Sequence, residues 1–126
     1  MNTPHHTDIE GAEDIKWLVD WFYSKVQKDD LLGPVFSARI SDWEPHLQTM
    51  YSFWDMALFG TKGYTGNPFS KHVDLPVAPE HFNRWLHLFL ETITERFDGP
   101  VAAEAMQKAS TVARIFLSRI TQARGN

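Results

Sequence analysis

The sequence predicts a single all-α domain, and three observations carry this prediction. Apolar residues recur with the 3.6-residue period of a helix along most of the 126 residues. Helix start and stop signals, mainly Ser, Asp, Pro and Gly, separate these stretches. We find no convincing alternation of apolar and polar residues of the kind that is typical of strands. The length suits one domain with a real core, since domains commonly run to about 100–150 residues.

The first helix is predicted from a capping-box spacing at its start and a break at its end. Thr7 and Glu10 stand three residues apart just before an apolar stripe. We therefore expect the helix to start there, within a segment (residues 1–10) that is partly flexible. Gly33 and Pro34 predict its end, followed by a short turn that carries Phe36.

The second helix is predicted from the capping box Ser41–Glu44, with Pro45 in its first turn and Gly60 as its C-cap. Residues 60–67 hold three glycines, which indicates an open loop. Asn67 then has the position of a cap for a short helix that carries His72.

Two longer helices follow in the prediction and complete the domain. One has an apolar stripe over residues 82–97, and the other has an alanine-rich stripe over residues 102–120. Asp98-Gly99-Pro100 breaks the chain between them. The sequence thus predicts four substantial helices and one short one.

Composition excludes several classes of protein. There is no Cys, which excludes disulfide scaffolds, thiol catalysis and Cys-based metal sites. The net charge of −4 argues against a nucleic-acid partner, because no basic surplus is present to neutralise phosphates. No apolar run is long enough to span a membrane. The first residues lack the basic and apolar regions of a signal peptide, so we expect a cytoplasmic protein.

Three rings with polar tips lie on three predicted apolar helix faces: Tyr23, His46 and Trp85. Each one alone is explained by an ordinary aromatic core, or by a histidine bonded at the edge of that core. Taken together, they indicate donors that converge on a small polar ligand in an apolar pocket. His72 stands in the turn KHVDLP and, from its context alone, is a surface histidine or a residue held at a fixed angle. Zinc, phosphate-loop and nucleophile-elbow motifs are absent.

Four separated blocks resemble the group III truncated haemoglobins. They are WFYSKVQKDDLLGPVF (21–36), DWEPHLQTMYSFW (42–54), YTGNPFSKHVDLP (64–76) and FNRWLHLF (82–89). They occur in the family's order, and the resemblance extends from about residue 13 to about residue 120. It implies a shortened globin fold, a two-over-two helical sandwich around haem.

The resemblance also implies roles for individual residues. His72 would bind the iron of haem b, with Tyr23, His46 and Trp85 on the distal side to stabilise the ligand. The remaining cofactor-binding positions would be Phe36, Met50, Phe53 and Phe82. One neutral imidazole is sufficient as the axial protein ligand, so the lack of Cys is no obstacle.

The function implied by this resemblance is binding of O₂, NO or CO. Oxidation of NO to nitrate and handling of peroxide are the activities we consider, with electrons from an external reductase because the chain has no flavin or nicotinamide domain. We expect a monomer.

The alternative, from a different class, is a cofactor-free all-α protein-interaction module, in which the aromatic stripes form a core or a partner groove.

Overall fold

The computed structural model describes residues 7–60 and 79–124, and five helices account for most of them. They are α1 (Ala12–Lys28), α2 (Leu32–Arg39), α3 (Trp43–Phe59), α4 (Pro79–Arg96) and α5 (Pro100–Arg124). In these two ranges the extended structure is limited to a single parallel bridge between Thr7 and Phe97. The all-α prediction is confirmed. The predicted loop at 60–67, beyond Gly60, and the predicted short helix with His72 lie outside the described residues.

The helix α1 begins at Ala12, after Gly11, so the predicted start at Thr7 is wrong. The residues before it have another role. The carboxylate of Asp8 accepts the backbone N–H groups of Val101 and Ala102, at 2.9 and 2.8 Å, and so caps α5. Ile9 is buried in the core. A side chain inside the predicted capping box, but not its predicted cap Thr7, therefore caps a helix some ninety residues away.

The turn between α4 and α5 depends on Gly99, which has a φ of 152°. A Cβ atom at this position would lie 2.5 Å from Cγ of Asp8. Glycine is therefore required here for two reasons: the backbone has a positive φ, and Asp8 leaves no room for a Cβ atom. The predicted break at Asp98-Gly99-Pro100 is confirmed, because α4 ends at Arg96 and α5 begins at Pro100.

The segment around Phe36 is an eight-residue helix, α2, and not the short turn that the sequence predicts. Gly33 and Pro34 stand in the first turn of α2, where a missing N–H group costs little. Asp29 accepts the N–H groups of Leu31 and Leu32 and thereby caps the helix. The Gly-Pro pair therefore belongs to the start of α2, whereas α1 already ends at Lys28, so the prediction that the pair ends the first helix is wrong.

The helix α3 has the ends that the sequence predicts, displaced by one residue at the start. Asp42, and not Ser41, is its N-cap, and its side chain accepts the N–H of Glu44. Pro45 lies in the first turn, and Gly60 is a left-handed C-cap with a φ of 72°.

The helix α1 lies at the centre of the described fold, where it contacts α2, α3 and α4, and α5 packs along α4. The core consists of α1 residues together with apolar residues from the other elements. It contains Ile9, Ile15, Leu18, Val19, Phe22, Tyr23, Val26, Leu32, Trp54, Phe89, Ile93, Phe97, Ala102, Ala105 and Ala109. Over the described ranges, no helix has both the length and the apolar character that crossing a membrane requires.

Candidate functional site

Tyr23 is at the centre of an aromatic cluster. Its side chain is 5% exposed, and its ring centroid lies 5.0 Å from that of His46, 5.6 Å from Trp43 and 6.2 Å from Phe36. Burial raises the pKa of Tyr23 well above the usual value of a phenol. The hydroxyl is therefore protonated at neutral pH and available as a hydrogen-bond donor.

The location of α1 between other helices explains why Tyr23 and its neighbour Phe22 are both buried. Consecutive residues of a helix point in directions about 100° apart, so both can be covered only if partners lie on two sides. Phe22 contacts Trp85 and Phe89 of α4 edge-on, at 5.5 and 5.2 Å. Tyr23 contacts α2 and α3 instead.

His46 lies on α3 beside Tyr23 and is half-buried, with its Nε2 atom buried. Its ring is edge-on to both Tyr23 and Trp43, at interplanar angles of 86°. The helical spacing of three residues places Trp43 and His46 on the same face of α3. The structure thus brings together two of the three polar-tipped rings that the sequence singles out.

Trp85 reaches the same cluster less directly. Its indole is edge-on to Phe22 and stacks on Phe89, with 5.7 Å between centroids and an interplanar angle of 5°. Phe22 in turn contacts Tyr23 at 4.8 Å. The ring of Phe22 therefore connects Trp85 with Tyr23.

The other predicted site residues have apolar side chains that are half-buried. Phe36 on α2, and Met50 and Phe53 on α3, pack against the core. Phe82 on α4 is half-buried too. His72, the predicted iron ligand, lies outside the described residues.

Trp43 is the residue of this cluster that the sequence reasoning missed as a site residue. Its ring contacts Tyr23 and His46, and it stacks on Phe36 at 6.2 Å with an interplanar angle of 25°. The signal was present, since Trp43 precedes His46 by three residues on a predicted helix.

The polar atoms of this cluster lie on side chains that are otherwise apolar rings. A phenol, an indole and an imidazole supply the polar atoms. Within the described ranges, no group of three His, Asp or Glu side chains could hold a bare metal ion. Flat, half-buried apolar side chains on three helices fit the faces of a macrocycle such as haem, whose iron needs a single imidazole from the protein.

Comparison with known proteins identifies the class. A family model described as "Bacterial-like globin" matches residues 6–117, and the chain belongs to this family. It is 36% identical over 111 residues to the group 3 truncated haemoglobin of Campylobacter jejuni, which covers 84% of this chain and 87% of that protein.

A solved structure narrows the class further. The crystal structure of the group III truncated haemoglobin from Campylobacter jejuni superimposes with a TM-score of 0.86 at 32% identity, covering 97% of this chain and all of that one. The resemblance to group III and the shortened globin fold are therefore confirmed. Membership of this family supports haem-based binding of small diatomic ligands such as O₂.

Proposed function

We propose that the protein binds O₂ and NO at haem b and oxidises NO to nitrate with an electron from an external reductase. The observation that carries this proposal is the cluster of Tyr23, His46 and Trp43, together with Trp85 on α4, because it gathers polar-tipped rings among apolar side chains. Nitrate formation balances as NO plus O₂ plus one electron, so the reductase must supply that electron.

In this proposal, His72 holds the cofactor through its imidazole, on the basis of the motif KHVDLP. Phe36, Met50, Phe53 and Phe82 bind the faces and edges of the macrocycle. Haem supplies the iron that binds the diatomic ligand and exchanges an electron with it.

The distal residues bind and orient the ligand. Tyr23 and Trp85 donate an O–H and an N–H hydrogen bond to its polar end, and His46 is a third partner or a gate. Donors fixed by packing stabilise developing negative charge without reorganisation. Tyr23 suits this role because a phenol is protonated at neutral pH and its ring is held by packing against Phe36, Trp43 and His46. Hydrogen bonds from the distal residues would hold O₂ tightly. Tightly held O₂ is released slowly, which favours its reaction with NO over its carriage.

The absorption spectrum of protein expressed with haem available tests the cofactor. We expect a Soret band that shifts when CO is added to the dithionite-reduced protein. A protein that folds but shows no Soret band after haem titration would be the cofactor-free interaction module instead.

Stopped-flow consumption of NO by the oxygenated, reduced protein tests the reaction. We expect stoichiometric nitrate, and repeated turnover only when a reductase is added. The same preparation mixed with hydrogen peroxide tests the other activity. Faster turnover of peroxide than of NO would overturn the assignment of NO oxidation.

A further inference from the structure

One carboxylate, that of Asp29, joins three helices. Its side chain is only 8% exposed. Oδ2 accepts the backbone N–H groups of Leu31 and Leu32, at 3.0 and 2.9 Å, at the start of α2. Oδ1 accepts a hydrogen bond from Nη1 of Arg84 on α4, with 2.6 Å between the two atoms. Asp29 itself follows the last residue of α1, so each of its two oxygens connects α1 with a different helix.

The three joined helices are those that carry the candidate ligand-binding residues. Tyr23 lies on α1, Phe36 on α2 and Trp85 on α4. Arg84 immediately precedes Trp85 in the second turn of α4. The bond from Arg84 to Asp29 therefore acts within one residue of the indole that the proposed function uses as a donor.

The ring contacts of Trp85 set the tilt of the indole plane, because the ring is edge-on to Phe22 and stacked on Phe89. They do not supply a polar link that holds the α4 backbone beside Trp85. A charge-assisted bond from a guanidinium is directional. Other polar connections between α1 and α4, from Lys25 to Glu91 and Glu95 and from Arg96 to Asp14, lie two to three turns further along α4. The Arg84 bond is thus well placed to fix the rotation of α4 at Trp85.

The Arg84 bond is better suited to positioning than to stability. The side chain of Arg84 is 45% exposed, and exposed ion pairs contribute little to stability. Burial would raise the pKa of Asp29, but bonds from the N–H of Leu32, the Arg84 guanidinium and the N–H of Leu31 lower it overall. Asp29 is therefore charged at neutral pH and retains Arg84.

We propose that Arg84 is a positioning residue that, through Asp29, holds the indole N–H of Trp85 at the distance and angle from the Tyr23 hydroxyl that the ligand requires. This inference rests on the proposed function, because it assigns Trp85 to the ligand. It adds that the strength of the distal hydrogen bond is set by a contact outside the aromatic cluster.

The test uses the haem-loaded protein in its ferrous CO form and compares R84Q with wild type. We expect the CO stretching frequency and the ¹H–¹⁵N resonance of the Trp85 indole to shift in R84Q. O₂ release should become about 2- to 10-fold faster, the range given by one typical hydrogen bond. R84K, which retains the positive charge, should give a CO stretching frequency and an O₂ release rate between those of R84Q and wild type.

The matched control is R96Q, which removes an arginine of similar exposure from the same helix. Arg96 is 47% exposed and pairs with Asp14 at 3.8 Å, away from Trp85. R96Q should leave the CO frequency and O₂ release as in wild type. D29N should reproduce R84Q, since its amide oxygen can still accept the N–H groups of α2, whereas its NH₂ group is a donor and cannot accept a hydrogen bond from Arg84.

A double-mutant cycle with W85F separates the possible results. If Arg84 acts through Trp85, R84Q should change neither the CO frequency nor O₂ release in the W85F background. An R84Q effect that persists there would overturn the inference. W85F that changes both quantities while R84Q changes neither would overturn the inference and leave the proposed function intact. W85F that changes neither would remove Trp85 from the proposed function itself.

Discussion

At the scale of single residues, Tyr23 has the most constrained environment among the candidate ligand-binding residues. Its ring is surrounded by His46, Trp43, Phe36 and Phe22, which belong to three different helices. Because burial raises its pKa, loss of the hydroxyl proton at neutral pH would be costly. A donor fixed in this way can contribute most of the hydrogen bonding to a ligand that gains negative charge.

The substitution Tyr23→Phe should raise the O₂ dissociation rate by about 10- to 100-fold. A hydrogen bond to a charged acceptor is worth roughly 1.5–3 kcal/mol, and about 1.4 kcal/mol corresponds to a factor of ten. Stopped-flow O₂ release measures this rate. Tyr51→Phe is the control, because the Tyr51 hydroxyl donates to Asp20 in a contact between α3 and α1. Equal rates for Tyr23→Phe and wild type would exclude Tyr23 from the role.

The sequence predicted which polar-tipped rings lie on apolar helix faces, but it did not predict which of these rings contact one another. Periodicity placed Tyr23 and His46 on apolar faces, and the structure brings these faces together. Periodicity could not show that Phe22 stands between Tyr23 and Trp85, because such a contact depends on how α1 and α4 cross. Trp43 was missed although its spacing from His46 was visible, because that spacing places it on the same helix face but does not show that its ring contacts Tyr23 and Phe36.

At the scale of elements, caps determine where the helices begin, and local spacing predicted one helix start and one helix end wrongly and placed the cap of α3 one residue too early. The Thr7–Glu10 box has the right residue types, yet Asp8 caps α5 and α1 starts at Ala12. The Gly33-Pro34 pair was interpreted as a terminator, yet Asp29 caps a new helix there. Gly60 was predicted correctly because a left-handed C-cap depends on the adjacent backbone alone.

The substitution Asp8→Asn should destabilise the fold by about 1 kcal/mol at pH 7, since it removes a charge from the N-terminus of α5. Burial raises the pKa of Asp8, but bonds from the N–H groups of Val101, Ala102 and Ile9 lower it below 3.8 overall. A lowered folded-state pKa stabilises the fold above the unfolded-state pKa. This contribution disappears as the pH falls through the folded-state value.

Urea unfolding of wild type and Asp8→Asn from pH 7 down to pH 3 measures this difference. The two free energies of unfolding should differ most above about pH 5 and converge in acid. Asp42→Asn provides the comparison, because Asp42 is an exposed cap with a single N–H contact at 3.2 Å and should have a smaller effect. A difference that is independent of pH would show that the charge of Asp8 is not what stabilises the cap.

At the scale of the whole molecule, the described helices place apolar side chains in two environments. The core residues of α1, α4 and α5 are fully buried. Phe36, Met50, Phe53 and Trp85 are only half-buried, although each packs against this core. In the proposed function these side chains gain further burial from haem, so the cofactor completes the core as well as the site.

Removing haem should therefore lower the melting temperature by on the order of 10–20 °C. A ligand at a thousandfold excess over its Kd stabilises the folded state by about 4 kcal/mol, and each kcal/mol shifts the melting temperature of a small domain by several degrees. His72→Ala should reduce this difference while leaving the apoprotein unchanged, because the imidazole stabilises only the loaded form. His87→Ala is the matched control, since the His87 side chain is 68% exposed. Thermal melts by circular dichroism, with and without haem, give the melting temperatures of the loaded protein and the apoprotein. If haem raises the melting temperature of His72→Ala as much as that of wild type, His72 is not the iron ligand.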